Sequence, residues 1–160
     1  MRHILSVLVE NEPGVLSRVA GLFSGRGFNI ESLNVGPTLE KGVSLMTIAT
    51  RGDDQIIEQI VKQLRKVVSV IKVVDMTNMQ TVEREMVLIK VNAEGPNRAE
   101  VLRIVDIFRC KVVDVSLNEL TLEVTGDPGK ISAIVNLLQK FGIKEFARTG
   151  TSAMRRSVQD

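Results

Sequence analysis

At 160 residues, the chain is long enough for one ordinary domain or two small ones. Its net charge is only +2 and it has no Trp or Tyr, which argues against a nucleic-acid-binding surface. Cys110 is the only cysteine, which fits a reducing compartment, and no apolar run approaches the roughly 20 residues that span a bilayer. We therefore expect a cytoplasmic protein that contacts neither nucleic acid nor membrane.

The first half of the sequence alternates strand and helix patterns in the order β-α-β-β-α-β. Leu5, Val7 and Val9 alternate along the opening strand, and the apolar residues after Pro13 recur with a helical period. Asp53 suits the N-cap of the second helix, because an Asp side chain can accept from the first free N–H groups. We expect strands at 4–9, 28–36, 43–51 and 70–76, and helices at 13–26 and after Asp53.

The second half repeats this order at a spacing of about 80 residues. A polar stretch without periodicity, residues 77–81, separates the two halves. Asp127 and Pro128 suit the N-cap and the first position of the last helix, which gives them a structural role. We expect strands at 85–93, 111–116, 120–125 and 143–148, helices at 97–109 and from Asp127, and a loose tail over 149–160.

Both halves fit the ferredoxin-like βαββαβ unit, in which two helices pack on one face of an antiparallel sheet. The predicted fold is therefore α+β, with two such units in tandem, residues 1–77 and 78–160. The open face of the first sheet would carry Ile4, Ser6 and Leu8, and we expect that neighbours such as Met46 and Ile48 cannot all be hidden inside. Since each unit also has a small core, we expect a homodimer.

Residues suited to catalysis are scarce in this sequence. His3 is the only histidine, and a lone histidine is usually a surface or packing residue. Cys110 lies between apolar residues without a second thiol, which favours a buried, inert thiol. No His or Cys cluster has metal-ligand spacing, and the glycines at 21, 25 and 27 fall late in a helix, where phosphate loops do not place them. We expect no catalytic residue and no metal site.

The corner between the first strand and the first helix is the candidate binding site. Pro13 suits the first helical position, which would put Gly14 inside the first turn. A glycine there costs about 1 kcal/mol relative to alanine, but it leaves the N–H groups of the helix start open to a small acid. The competing interpretation is that Gly14 only relieves crowding at a tight corner.

The residues around this corner resemble a known family. Asn11-Glu12-Pro13-Gly14-Val15-Leu16, followed by Gly27-Phe28-Asn29-Ile30, is similar to the binding motif of ACT domains, which are small amino-acid-binding regulatory modules. The likeness is dense over residues 2–50 and covers 1–150 in layout. Residues 2–11, Ser17-Arg18-Val19, Gly21-Leu22-Phe23 and Asn29-Ile30-Glu31-Ser32-Leu33 resemble the small regulatory subunits of acetohydroxyacid synthase, also called acetolactate synthase.

The resemblance implies that residues 1–77 form an ACT domain for effector binding and dimerisation, followed by an ACT-like unit. It implies that this chain has no active site and binds no cofactor. A larger catalytic subunit would carry thiamine diphosphate, Mg²⁺ and FAD, and the small subunit would activate it and make it sensitive to valine or a related amino acid. The effector would lie where the ACT domains of two chains meet. The residues that the resemblance assigns to effector binding are Asn11, Gly14, Val15 and Leu16 at the corner, and Asn29 and Ile30 across the interface.

The chemistry of these residues suits a zwitterionic ligand. Backbone donors near Gly14 would hold the carboxylate, and the amides of Asn11 and Asn29 would accept from the ammonium group. Leu16 and Ile30 would flank a branched side chain. The structural alternatives are that Asn11 closes a turn and that Asn29 tolerates an unusual φ.

Two other functions stay open. An RRM-like RNA-binding module shares the βαββαβ order but needs aromatic residues on its central strands, where this chain has Leu5, Val7 and Ile48. A free-standing amino-acid sensor would differ from a regulatory subunit of acetolactate synthase mainly in its partner. Many members of the resembled family carry an arginine where this chain has Leu45. Whether this chain makes the contact that such an arginine makes with the partner or the effector therefore stays open.

Overall fold

Each half of the chain folds as an antiparallel sheet with two helices on one face, in a computed structural model that describes residues 1–158. The βαββαβ order predicted for both halves is confirmed. The first unit comprises Met1–Val82 together with the segment from Thr151, and the second unit comprises Glu83–Gly150. None of the helices described over residues 1–158 is long and apolar enough to cross a lipid bilayer.

The first unit begins with β1 (Arg2–Glu10), α1 (Val15–Ser24), β2 (Ile30–Pro37), β3 (Val43–Arg51), α2 (Asp54–Leu64) and β4 (Val70–Asp75). Its strands lie in the order β2-β3-β1-β4, so β2 and β4 are the edges of this sheet. Asp53 caps α2 by accepting from the N–H of Gln55 at 2.7 Å, which confirms its predicted role.

The register of β1 against β3 determines which side chains face the helices. Leu5 lies opposite Ile48 and Val7 lies opposite Met46. These four side chains belong to one core cluster and are at most 2% exposed. Because residues that oppose each other across an antiparallel pair share a face, the expectation that Met46 and Ile48 could not all be hidden inside was wrong.

The second unit contains β5 (Thr81–Asn92), which begins in the first unit, then α3 (Asn97–Ile107), β6 (Lys111–Val115), β7 (Glu119–Gly126), α4 (Pro128–Leu138) and β8 (Ile143–Arg148). The strand order β6-β7-β5-β8 matches that of the first sheet. Asp127 caps α4 by accepting from the N–H of Lys130 at 2.8 Å, and Pro128 opens the helix, as predicted.

The segment after Gly150 forms a strand of the first unit, where a loose tail was expected. Strand β9 (Ser152–Arg155) pairs with β5, and the N–H of Arg156 donates to the carbonyl of Gln80 at 2.8 Å. The structural division therefore differs from the predicted division at residues 77 and 78, since the first unit also takes in this C-terminal strand. Residues 159 and 160 of the expected tail lie outside the described residues.

This strand covers part of the face of the first sheet that the helices leave open. Ala153 is 7% exposed, and the N–H of Thr151 lies 3.5 Å from the hydroxyl of Ser32 on β2. The chain thus covers with its own C-terminal strand part of the open sheet face for which the sequence predicted cover by a second copy. The apolar residues packed with Ala153 are Ile4, Ala49 and Met76, with Val74 partly buried beside them.

Candidate functional site

The chain passes from β1 into α1 through a tight turn over residues 12–15. The N–H of Val15 donates to the carbonyl of Glu12 at 3.4 Å, and Gly14 has φ 87° and ψ −6°, as at the third residue of a type II turn. Helix α1 begins at Val15 with Gly14 as its N-cap, so the prediction that Pro13 takes the first helical position was wrong. A Pro-Gly pair fits the two central positions of this turn, because proline fixes φ and glycine accepts a positive φ.

The start of α1 has no side-chain cap. Gly14 has no side chain that could accept, and the amide groups of Leu16 and Ser17 have no hydrogen-bond acceptor among residues 1–158. At α2 and α4, by contrast, Asp53 and Asp127 accept from such amides. A ligand carboxylate at the start of α1 would therefore take the place that a capping side chain takes elsewhere.

Two neighbouring loops hold the corner in place. The N–H of Asn11 donates to the carbonyl of Gly42 at 2.8 Å, and the N–H of Glu10 donates to the carbonyl of Ser69 at 2.8 Å. The hydroxyl of Ser69 also donates to Oε2 of Glu12 at 3.0 Å. These bonds fix the backbone of the corner while the side chain of Asn11 stays exposed.

Val15 and Leu16 face different surroundings. Val15 is 3% exposed and belongs to the core of the first unit, so it anchors the helix start. Leu16 is 47% exposed. Of these two predicted site residues, only Leu16 has its apolar side chain exposed at the corner.

Asn29 and Ile30 lie at the other end of the sheet. Ile30 pairs with Thr50, which lies opposite His3 at the start of β1, whereas the corner follows the end of β1. From His3 to Asn11 the chain advances eight residues, or roughly 26 Å at about 3.3 Å per residue. The structure therefore does not bring the two predicted groups together within one chain.

Close packing fixes the backbone at Asn29. The ring of Phe28 lies against Gly52, where a Cβ would come within 1.5 Å of the ring atom Cε1. The hydroxyl of Thr50 donates to the carbonyl of Asn29 at 2.6 Å. The side chain of Asn29 is exposed, and Ile30 is half-buried against the core. This end of β2 thus presents one amide and part of one aliphatic side chain to solvent.

Arg18 also lies at the corner, although the sequence analysis did not place it in the site. Its Nη2 atom lies 3.8 Å from the position that a Cβ on Gly14 would take. Its guanidinium group has no hydrogen-bond or ion-pair partner among residues 1–158. The signal in the sequence was the spacing of four residues after Gly14, which puts the two positions on one helix face.

The matching corner of the second unit carries different residues. Arg98 takes the place of Leu16, and Glu100 takes the place of Arg18. The match rests on a hydrogen bond that both helices make at their C-terminal ends. In α1 and in α3 alike, the carbonyl that accepts this bond lies eight residues after the first residue of the helix. The two bonds are Phe28 N–H to the Phe23 carbonyl and Cys110 N–H to the Val105 carbonyl.

Arg98 closes that second corner. Its guanidinium group donates to the carbonyl oxygens of Ala93 at 3.2 Å and of Leu117 at 2.7 Å, and also to that of Ser116. Glu100 lies 3.9 Å from Lys140. Of these two corners, only that of the first unit has both an open helix start and a cation, Arg18, without a partner among residues 1–158.

Other titratable groups are placed for structural roles. His3 is 3% exposed, with Nδ1 3.2 Å from Oγ1 of Thr77 and Nε2 3.0 Å from Oδ1 of Asp54. Burial raises the pKa of the Cys110 thiol, against a smaller opposing effect of Lys130, and this favours the protonated, unreactive form. Within residues 1–158, no group of three or more His, Cys, Asp or Glu side chains could hold a metal ion.

The central strands lack the stacking surface of an RNA-binding module. Strands β1, β3, β5 and β7 contain no Phe, Tyr or Trp, His3 on β1 is buried, and Phe146 lies on the edge strand β8. An open cavity of about 590 Å³ lies on the second unit, where Lys90 and Glu145 are 3.2 Å apart. The predicted site residues do not line it. Its lining is Leu88, Lys90, Asp114, Thr121, Glu145, Phe146 and Ala147.

Comparisons with known proteins agree over both units. Residues 5–72 match the family described as the AHAS small subunit-like ACT domain. Residues 84–157 match the family described as the small subunit of acetolactate synthase.

Whole-chain relatives carry the same description. The acetolactate synthase small subunit of Aquifex aeolicus is 57% identical over 158 residues, which cover 98% of this chain and 82% of that protein. A probable acetolactate synthase small subunit of Archaeoglobus fulgidus is 53% identical over 156 residues, or 98% of both chains. The crystal structure of the acetolactate synthase small subunit from Thermotoga maritima matches with a TM-score of 0.91, 44% identity and 99% coverage of both chains.

Proposed function

We propose, given that the chain belongs to the acetolactate synthase small-subunit family, that it senses a branched-chain amino acid for the catalytic subunit of that enzyme. A chain of this family is a non-catalytic, regulatory subunit. The proposed effector is valine and the proposed response is feedback inhibition in the cytoplasm. The proposed partner is the larger subunit, which binds thiamine diphosphate, Mg²⁺ and FAD and which this chain activates.

The uncapped start of α1 is the observation that carries the proposal. The carboxylate of the amino acid accepts from the amide groups of Leu16 and Ser17, which lack another acceptor among residues 1–158. The exposed amide oxygen of Asn11 accepts from the ammonium group. The exposed side chain of Leu16 contacts the branched aliphatic chain.

A second copy of the chain completes the site. β2 is an edge strand, and its Pro37 end lies beside Ser44, which pairs with Val9 next to the corner. Antiparallel pairing of β2 with β2 of a second copy places the Ile30 end of one copy beside the Pro37 end of the other. Asn29 and Ile30 of the second copy then lie at the corner, although within one chain they are at the far end of the sheet.

This arrangement explains how binding alters the subunit. An amino acid held by two copies has a higher affinity for the paired arrangement than for either copy alone, so it shifts the population toward that arrangement. Allosteric coupling of about 1–3 kcal/mol is sufficient for feedback control.

A mixing experiment tests whether the site spans two copies. Asn11→Ala and Asn29→Ala should each weaken L-valine binding by about 10-fold or more, because each removes a hydrogen bond to a charged group. Dimers formed by refolding the two variants together contain one site with both substitutions and one intact site. Calorimetric titration of the mixture should therefore recover high-affinity binding at up to one site per mixed dimer.

The separate variants, each refolded alone, are the controls. A mixture that binds no better than the separate variants would show that both side chains act within one chain, and would contradict the shared site. A wild-type chain that does not bind valine at millimolar concentration would contradict a preformed effector site on this subunit.

A further inference from the structure

We propose that Arg18 selects the carboxylate group of the effector. This assignment rests on the proposed function and adds a residue and a rule of specificity to it.

The position of Arg18 supports this role. Helical side chains lean toward the N-terminus of their helix, so a residue four positions after Gly14 reaches back to the corner. The Nη2 atom of Arg18 accordingly lies 3.8 Å from the position of a Cβ on Gly14. A carboxylate beside Gly14 is therefore within reach of the guanidinium group.

The fold makes no other use of this charge. Arg18 is the only charged residue of α1 and is exposed, with no partner among residues 1–158. The nearby carboxylate of Glu12 accepts from the hydroxyl of Ser69. Arg26, beyond the other end of α1, donates to Oε1 of Gln59 at 3.0 Å, so it does have a partner.

The second unit shows what the same corner looks like when it is closed. Glu100 replaces the cation there and lies near Lys140, while Arg98 binds backbone carbonyls where Leu16 is exposed in the first unit. A cation beside an exposed aliphatic side chain, as in the first unit, suits a small molecule with one carboxylate and one aliphatic group. Guanidinium recognises carboxylates by paired, charge-assisted hydrogen bonds.

The test compares L-valine with L-valinamide, which keeps the side chain and the amine but lacks the carboxylate. Wild-type protein should bind valine at least 10-fold more tightly than valinamide. In Arg18→Gln the affinity for valine should fall about 10-fold and that for valinamide should stay unchanged, so that the preference shrinks about 10-fold to the part that the amide groups of Leu16 and Ser17 supply. Arg18→Lys should keep part of the lost preference, because an ammonium group lacks the planar fork of guanidinium.

Arg26→Gln is the matched control, since it removes an arginine near the same helix and should leave both affinities unchanged. The melting temperature of Arg18→Gln should equal that of the wild type, because its side chain has no described partner. An Arg18→Gln protein that prefers valine over valinamide as strongly as the wild type does would overturn the role of Arg18. A wild-type protein that binds neither compound would overturn the proposed function, and the role of Arg18 with it.

Discussion

Gly14 combines two demands on one residue. Its φ of 87° lies in the left-handed region, which disfavours L side chains by roughly 1–2 kcal/mol. The absent side chain also leaves the first amide groups of α1 without a cap. The positive φ at residue 14 and the open start of α1 therefore have the same cause, the absence of a side chain.

Gly14→Asp should abolish feedback inhibition by valine while activation of the catalytic subunit continues. At about 4 Å, the new carboxylate would repel that of the effector by about 4 kcal/mol at an effective dielectric near 20. This exceeds the usual allosteric coupling of about 1–3 kcal/mol. The new carboxylate would also be close enough to pair with Arg18. The measurement is the activity of the reconstituted enzyme against valine concentration.

Gly14→Asn separates charge from size in that experiment. Asn has nearly the same shape as Asp and tolerates a positive φ, but it is neutral. We expect inhibition to persist at higher valine concentrations. If valine inhibits the Gly14→Asp variant to the same degree as the wild type, the effector does not bind at this corner.

The sequence marked this corner as a candidate site, but its geometry could not be predicted from the sequence. Proline is favoured both at the first position of a helix and at the second position of a β-turn, so Pro13 alone does not distinguish these two structures. The positive φ of Gly14 shows that the chain forms the turn. Arg18 was missed because its role depends on the helical phase that brings it back to Gly14. The helices and strands were easier to predict, since their apolar periodicity is a local signal.

At the scale of elements, the two helix starts that follow the strand-to-helix corners show how one topology gives different surfaces. At α1 the first amides are open. At α3 the guanidinium group of Arg98 ties the corner to the loop between β6 and β7, through the carbonyls of Ser116 and Leu117. The corner of the second unit therefore has a structural role, because Arg98 holds it against a neighbouring loop.

Arg98→Met should lower the free energy of unfolding of the second unit by about 1–3 kcal/mol, because three carbonyl groups lose a charged donor. Urea unfolding followed by circular dichroism measures this change. Arg103→Met, on the same helix, is the control, because Arg103 is exposed and has no described partner. Equal stability of the two variants would argue against the structural role of Arg98.

At the scale of the whole molecule, the first unit is assembled from both ends of the described chain. β9 packs Ala153 against residues of β1, β3 and the turn after β4. The sequence did not predict this contact, because Ala153 and Ile4 are far apart in the chain and a four-residue strand has almost no periodicity. Long-range contacts of this kind are also what decides whether a polar-looking segment folds.

Ala153→Asp should destabilise the first unit selectively, since a carboxylate among Ile4, Ala49 and Met76 would lose its hydration. We expect faster amide hydrogen exchange in peptides from β1 and β3 and unchanged exchange in β7. Met154→Asp is the control, because Met154 is 72% exposed on the same strand. Comparable exchange in both variants would show that β9 does not stabilise the first sheet.

The place of β9 in the chain also affects how the protein is made. A ribosome releases the strands of the first sheet early, but it must translate all of Glu83–Gly150 before β9 emerges. At about 5–20 residues per second, that interval lasts roughly 3 to 14 s. Throughout it, the apolar patch around Ile4 and Met76 lacks its own cover and is available to a chaperone. The unit that is translated first therefore receives its last strand only after the whole second unit has been translated.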